Sequence, residues 1–319
     1  MSGDVKMHCD ELSNFELDDY VTAIAWMPDG FGFAAATARG EIVYWNENLN
    51  SLKSPLVSPL VRGTRSLRES DGFSIDALKW SADGVFLAAA GQRGALYVWD
   101  GRELVTTLIY SGWIDQLAWH PGRSLLAFGV GKIIYIWNAE TQILESSLEL
   151  LESSVLGLTW NAQGDRLMAS GNRVVKCWNV ENWNTTPQVW ELSAACGSID
   201  WAPGDLFFAA GCFDRTVIVA SEFGSDNPWR MSGFPEKVSL VAWSSVMNPA
   251  TECPLLATVS RDGIVIWNWT EEGWDGNIIS SGGGRINSIA WQPGSLVFAI
   301  AVEERVELRV LQISSKIDL

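Results

Sequence analysis

One short pattern, an apolar-rich run closed by tryptophan, occurs seven times along the chain. VTAIAW (21–26) returns as IDALKW (75–80), IDQLAW (114–119), VLGLTW (155–160), CGSIDW (196–201), VSLVAW (238–243) and INSIAW (286–291). The closing residues are Trp26, Trp80, Trp119, Trp160, Trp201, Trp243 and Trp291, at steps of 54, 39, 41, 41, 42 and 48 residues. Self-similarity at such a period marks an array of one supersecondary unit, and such a unit buries its apolar face only by stacking on neighbouring copies.

Each copy continues in the same way. A second apolar run rich in small residues follows: FAAAT, FLAAAG, LLAFG, LMASG, FFAAG, LLATVS and VFAIAV. After a turn comes a third run that ends in Trp-Asn or Trp-Asp in five copies: YWN (44–46), VWD (98–100), IWN (136–138), CWN (177–179) and IWN (266–268). The fifth copy has Ala220 at that point and the seventh has Val310. Turn signals such as Pro28-Asp29-Gly30 and Asp83-Gly84 separate the runs. A more polar fourth strand fits between copies, as ELVTTLIY (103–110), QILESSLEL (142–150) and PQVWEL (187–192). Four short strands per unit of about 41 residues predict the blades of an all-β propeller, each a four-stranded antiparallel sheet. Helix fits poorly, because the runs are short, rich in Val, Ile and Trp, and broken by Gly and Pro. Of the chain's 18 tryptophans, twelve occupy repeat positions. This predicts indoles that fill the wedges between blades, each removing roughly 150–250 Å² from water for a few kcal/mol. The alanine runs let neighbouring sheets approach closely.

The order apolar-x-x-apolar-x-Trp, Pro-Asp-Gly, Ala-rich run, x-x-Trp-Asn/Asp resembles the WD-repeat family over about residues 12–312. The resemblance implies a single seven-bladed propeller around a central channel, with one terminus completing the last blade. SNFELDD (13–19) takes the fourth-strand place ahead of the first copy, and the seventh copy ends near Gln312. The N-terminal strand is therefore expected to form the outer strand of the last blade, which leaves the ring no free edges. The expected boundaries are a flexible tail over 1–11, the propeller over 12–312 and a short tail over 313–319. Within the propeller the repeat cores fall at about 20–46, 74–100, 113–138, 154–179, 195–221, 237–268 and 285–312. The chain departs from the family in one respect. Many members carry a Gly-His pair before the first strand and an Asp in the turn before the third, hydrogen-bonded to each other and to the Trp. Here the only histidines are His8 and His120, neither before a first strand. The turn Asp survives as Asp214 and Asp262, while Arg39 and Arg93 hold the equivalent sites of the first two copies. No repeating buried polar network is expected, so Trp and Ala packing must carry stability.

The chain's 319 residues are 47% hydrophobic and 19% charged, a globular balance. A net charge of −16 opposes binding to nucleic acid, whose phosphates need clustered Lys and Arg, and to an anionic membrane surface. Cys9, Cys177, Cys196, Cys212 and Cys253 are odd in number and widely spaced, without a CxxC. No disulfide framework is expected, and a reducing, cytoplasmic setting fits. The first twenty residues hold six acids and no apolar run, and no stretch reaches the ~20 apolar residues of a membrane span.

Catalytic and cofactor chemistry finds little support. His8-Cys9-Asp10-Glu11 is a single cluster in the expected tail, short of a zinc ligand set. His120 sits in the turn WHPG, where other copies place Met27, Ser81, Asn161, Ala202 and Gln292, so it reads as a varied turn residue rather than a catalytic base. Gly129-Val130-Gly131-Lys132 lacks the spacing of a phosphate loop and reads as a hairpin; Gly282-Gly283-Gly284 reads as a loop between blades. No catalytic residue, cofactor or metal is assigned.

The second position of the hexapeptide carries Thr22, Asp76, Asp115, Leu156, Gly197, Ser239 and Asn287 around the ring. Two residues earlier stand Tyr20, Ser74, Trp113, Ser154, Ala195, Lys237 and Arg285. By the family resemblance these positions lie near the channel rim, on the face that meets partners. Tyr20, Asp76, Trp113, Asp115, Lys237, Arg285 and Asn287 are the candidate partner-binding residues, since Trp, Tyr and Arg are the types that make binding hot spots. Secondary candidates are Lys53, Arg62, Arg65 and Arg68, a basic cluster in the first-copy insertion 47–72. The sixth copy has a longer first turn, 244–254. Of the tryptophans outside the repeat positions, Trp269 and Trp274 read either as a contact patch or as cover for the edge of the sixth blade.

The leading expectation is a non-enzymatic scaffold, monomeric on its own, that binds one or more unidentified protein partners on its faces near the rim. The alternative is a fixed subunit of a larger complex. A third reading is a hydrolase-type enzyme with Asp76 and Asp115 in an acidic channel.

Overall fold

A computed structural model describes residues 5–46, 64–101, 103–150, 153–221, 223–248, 251–261, 263–280 and 283–315. Seven four-stranded antiparallel sheets follow one another around a ring, and in the first six the strands run in sequence order from inside to outside. The innermost strands are Val21–Trp26, Ile75–Trp80, Leu117–Trp119, Gly157–Trp160, Cys196–Trp201, Val238–Met247 and Ile286–Trp291. They define blades 1 to 7. The expected fourth strands appear at Glu103–Ile109, Ile143–Glu149 and Gln188–Glu191.

Blade 7 closes the ring. Its outer strand is Val5–Glu16, antiparallel to Arg305–Ser315 from the chain's other end. The N-terminal closure is as the sequence implied, but the tail expected over 1–11 is not seen from Val5 onward. His8 pairs with Gln312 and Cys9 with Leu311 in the ladder. The run of alternating residues extends pairing well beyond SNFELDD, because an outer strand continues wherever its neighbour offers backbone partners. The pairing also carries the seventh copy past Gln312 to Ser315.

The turn after each innermost strand is built locally. In blade 1 Gly30 takes φ 74°, and Asp29 Oδ1 accepts the Phe31 N–H at 2.9 Å. In blade 2 Gly84 takes the same φ, while Asp83 Oδ1 accepts from Val85 N at 3.0 Å and from the Ser81 hydroxyl at 2.6 Å. Glycine is favoured because the turn needs a left-handed residue, and aspartate because its short carboxylate caps the next amide. The Gly129–Lys132 segment is a hairpin turn, with Val130 opposite Ile133.

The core is a set of wedges rather than one centre. Seven apolar clusters among the described residues each join two adjacent blades. Between blades 7 and 1, Val21, Ile24, Trp26 and Phe33 meet Ala299, Ala301, Val306 and Leu308. The alanine runs Ala34–Ala36 and Ala88–Ala90 are wholly buried. A larger residue there would hold the sheets apart.

The innermost tryptophans add a bond that the repeat pattern does not announce. Trp26 Nε1 donates to the Ala290 carbonyl (3.1 Å), Trp119 to Lys79 (3.0 Å), Trp160 to Ala118 (2.9 Å), Trp243 to Asp200 (3.2 Å) and Trp291 to Ala242 (3.1 Å). Every acceptor is the residue just before the tryptophan of the preceding blade, so indoles link five of the seven blade junctions. Trp80 and Trp201 have no acceptor among the described residues.

One further expectation needs correction. Cys196 and Cys212 form a disulfide. They are sixteen residues apart in sequence but directly opposite each other on neighbouring strands of blade 5. Wide spacing along the chain did not foretell adjacency across a hairpin. In blade 5 the turn residue Asp214 accepts from the Ser193 hydroxyl (3.0 Å) and the Thr216 hydroxyl (2.6 Å), with Arg230 at 3.8 Å, a local cluster without histidine or tryptophan. Asp262 lies outside the described residues.

Candidate functional site

The candidate residues gather at one end of the channel because of a repeated irregularity. In five blades the inner ladder skips one residue: Thr22, Asp76, Gly197, Ser239 and Asn287. Each is a β-bulge residue with no cross-strand partner. In blades 3 and 4 the equivalents, Asp115 and Leu156, come just before the inner strand begins. The second hexapeptide position is thus released from the ladder all around the ring. The channel it opens into has a volume of about 1050 Å³, and Tyr20, Asp76, Trp113, Asp115, Arg285 and Asn287 line it together.

Some of these side chains bind the blades to one another. The Thr22 hydroxyl donates to the Ile75 carbonyl of blade 2, and Asn287 Nδ2 donates to the Val21 carbonyl of blade 1 at 3.0 Å. Asn287 is therefore partly committed to the ring. Asp76 is held by two neutral donors, the Ser74 hydroxyl at 2.6 Å and the Trp113 indole N–H at 2.7 Å. The second of these spans blades 2 and 3. Asp115 stands in the next blade, and its carboxyl is pushed up from the usual range, first by burial and then by the neighbouring Asp76 charge. Trp113 is 52% exposed and Tyr20 50%, so about half of each ring faces solvent at the mouth.

Lys237 is not in the channel lining. It stands on the rim with Nζ 4.9 Å from the centre of the Phe213 ring. Phe213 and Phe73 are exposed aromatics at the same end that the sequence reading missed. Phe73 lies under the Arg93 guanidinium at 5.0 Å. The signal was available: Phe73 directly precedes a tabulated rim position, and Phe213 directly precedes the turn Asp214. Two channel charges were also missed. Lys79 and Asp200 hold the fifth hexapeptide position, lower in the channel, where the other copies have Ala25, Ala118, Thr159, Ala242 and Ala290. Asp200 is half-buried and lines the channel; burial pushes its pKa up to about 6, against the opposing pull of the Trp243 amide and the Lys79 charge.

Lys53 and Arg62 lie outside the described residues, and Arg65 stands in the outer strand Thr64–Arg68 of blade 1. Arg68 is structural: its guanidinium donates to Asp71 Oδ2 at 2.5 Å and to the Gly40 carbonyl, and stacks at 4.8 Å on Tyr97. Placement in the outer strand of blade 1 beside Tyr97 of blade 2, rather than at a loop tip, turns this cation inward. Trp269 and Trp274 are likewise part of the packing. They meet at 5.3 Å and reach Phe207 at 6.3 and 5.5 Å, in an aromatic group at the junction of blades 5 and 6.

His120 is buried, accepts the Gly122 N–H on Nδ1 at 3.0 Å and packs edge-on against Trp160. Burial lowers its pKa, and its role is to seat the turn. His8 bonds Asp10 at 2.9 Å on the outer strand of blade 7. No group of three or more His, Cys, Asp or Glu among the described residues could hold a metal ion.

Comparison with known proteins agrees with the propeller fold. The pattern of the family "WD domain, G-beta repeat" matches residues 64–100, the last strand of blade 1 and the first three of blade 2. An uncharacterized WD repeat-containing protein of Schizosaccharomyces pombe is 27% identical over 63% of this chain and 38% of its own length. Meiotic fizzy-related protein 2 of the same yeast is 25% identical over 59% and 36%. In Arabidopsis thaliana, "cell division cycle 20.1, cofactor of APC complex" is 24% identical over 72% and 58%. The matches therefore span less than two thirds of these relatives. A chain in a crystal structure of the mitotic checkpoint complex superposes with a TM-score of 0.78 at 19% identity, covering 96% of this chain and 93% of that one.

Proposed function

We propose that this chain, a WD-repeat β-propeller, is a non-catalytic interaction platform that takes a protein partner on the mouth of its channel. The observation that carries this reading is the half-exposed pair Tyr20 and Trp113 beside Asp76, Asp115 and Arg285 at one opening. Aromatic and Arg anchors ringed by polar groups are the composition of protein recognition surfaces. The rim adds Lys237 and Asn287. The relatives fit a binding role, since one is named as a cofactor of a complex and the structural neighbour sits in one.

The test is affinity purification with mass spectrometry, comparing wild type with a Trp113→Asp/Arg285→Glu double variant of verified fold. A partner held by wild type and lost by the variant is the expected result. A partner held equally by both would move the surface away from the mouth. The same names favour a second reading, a fixed subunit of a larger assembly; constant stoichiometry across purifications would select it.

A further inference from the structure

We propose that Cys196 and Cys212 form a reversible redox site. The pair is a dithiol in the reduced protein, closes on reaction with a small-molecule disulfide of the oxidised-glutathione type, and when closed fixes the blade 5 sector of the channel mouth. The inference stands apart from the partner reading and does not need it.

The two cysteines occupy a place that recurs around the ring, the ladder pair just ahead of the bulge. Val21 and Thr37 fill it in blade 1, Ile75 and Gly91 in blade 2, Val238 and Ser260 in blade 6, and Ile286 and Val302 in blade 7. All eight are buried. Four blades therefore hold this place by packing alone, with pairs of very different volume. Blade 5 does not need a bond there, and two thiols pack as small apolar groups. The pair can open while the blade stays folded.

What the bond adds follows from its surroundings. Cys196 and Cys212 lie in the wedge between blades 4 and 5, with Met168 and Val175. Cys196 is also where blade 5 attaches to blade 4: its amide donates to the Gly171 carbonyl at 3.3 Å, and its carbonyl accepts the Ser170 hydroxyl at 2.8 Å. Beside Cys212, the Phe213 amide donates to the Ala195 carbonyl at 2.8 Å. The Phe213 ring covers Gly197, where a side chain would collide with it, and Lys237 stands on that ring. The closed crosslink joins the two strands next to the Phe213–Ala195 bond, so that bond cannot open by strand separation. The other cysteines do not compete. Cys9, Cys177 and Cys253 are free, and burial pushes all three thiols up, which leaves less of the reactive thiolate.

The chemistry balances as two exchanges. One cysteine thiolate attacks oxidised glutathione, forms a mixed disulfide and releases one glutathione thiolate. The second cysteine thiolate attacks the protein sulfur of that mixed disulfide and releases the other. The protein pair loses two electrons and two protons; the glutathione disulfide gains both and becomes two thiols. Both cysteines are buried, so exchange passes through a brief opening at the mouth end, where Gly197 has no ladder partner.

The experiment equilibrates the full chain, without air, in glutathione buffers from fully reduced to fully oxidised, approached from both directions. Acid quenching, alkylation under denaturing conditions and mass spectrometry then count the thiols. The expected result is five labelled cysteines in reduced buffer and three in oxidised buffer, through one reversible transition, with a native circular dichroism spectrum at both ends. Exchange of the Phe213 amide, followed by NMR, should be on the order of ten-fold slower in the oxidised protein. A Cys196→Val/Cys212→Thr variant, which copies the blade 1 pair, should fold and should show the same Phe213 exchange in both buffers. Five labelled cysteines in oxidised buffer, glutathione adducts at the other cysteines instead of the internal bond, or loss of the fold on reduction would each overturn the inference. So would equal Phe213 exchange in the two wild-type states. If the variant does not fold, the wild-type titration and exchange still decide.

Discussion

The seven innermost strands have two ends, and the ends obey different rules. At the lower end every copy has tryptophan, and five of the seven indoles bond the preceding blade. At the upper end the second position changes from copy to copy, through Thr, Asp, Asp, Leu, Gly, Ser and Asn. The distance between the two is short: Asp76 and Trp80 are four residues apart, about 13 Å along a strand. Each blade needs the same wedge to hold its neighbour, so the lower end repeats. The bulge frees the upper residue from the ladder, and a residue without a ladder role can differ in every blade. Repetition marks what the ring needs for itself, and variation collects where the ladder makes no demand.

The largest effect should separate these ends. Trp160 is buried, bonds Ala118 and packs on His120 and Trp183. Trp160→Ala should cost about 3–5 kcal/mol, the usual range for emptying an aromatic site in a core. Trp113→Ala removes a half-exposed ring and should cost less than about 1 kcal/mol, while weakening partner binding. Denaturant midpoints of the two variants check the pair. Equal losses would show that the mouth tryptophan is structural and would erase the distinction.

Much of this was legible because the physics repeats. The tryptophan hexapeptide disclosed seven blades, and SNFELDD disclosed the closing strand. The second-position ring was legible as a list, but not the reason for it: a bulge exists only relative to a partner strand, and pairing is not written along one strand. Cys196 and Cys212 escaped for the same cause, being distant along the chain and opposite across a hairpin. Arg68 read as a loop cation because the insertion around it is basic, whereas the strand that holds it sets its direction. Phe73 and Phe213 were missed because only two positions per copy were compared. Extending the comparison to the fifth position would have exposed Lys79 and Asp200, the only charges among seven mostly small residues.

Asp200 tests how purely structural the lower end is. Its side chain accepts the Trp243 amide at 2.9 Å, and its carbonyl accepts the Trp243 indole at 3.2 Å. Its pKa of about 6 in the fold exceeds the ordinary aspartate value, with burial as the first cause. A carboxyl whose pKa rises on folding favours the native state while protonated. Its unfavourable contribution is absent below the ordinary value near pH 4, grows from there to about pH 6, and is complete above that. Asp200→Asn keeps an acceptor for the Trp243 amide and removes the titration. The variant should gain on the order of 2 kcal/mol over wild type at pH 7, and the gain should vanish near pH 4. Urea titrations at the two pH values check this. A gain independent of pH would mean that the aspartate charge is not what burial opposes.

The smallest effect divides the tryptophans among themselves. Trp160 donates its indole N–H and Trp80 does not, although the Trp80 nitrogen is also shielded from water. Phenylalanine at either site keeps most of the apolar wedge and removes the donor. At position 160 this breaks a buried bond and strands the Ala118 carbonyl, so Trp160→Phe should lose about 1 kcal/mol for the bond in addition to the lost volume. At position 80 no bond is lost and an unsatisfied donor disappears, which offsets part of the volume term. Trp80→Phe should therefore be the milder of the two by roughly 1 kcal/mol, read as the difference between their denaturation midpoints. Equal costs would show that the indole bonds contribute nothing net, leaving wedge packing alone to hold the lower ring.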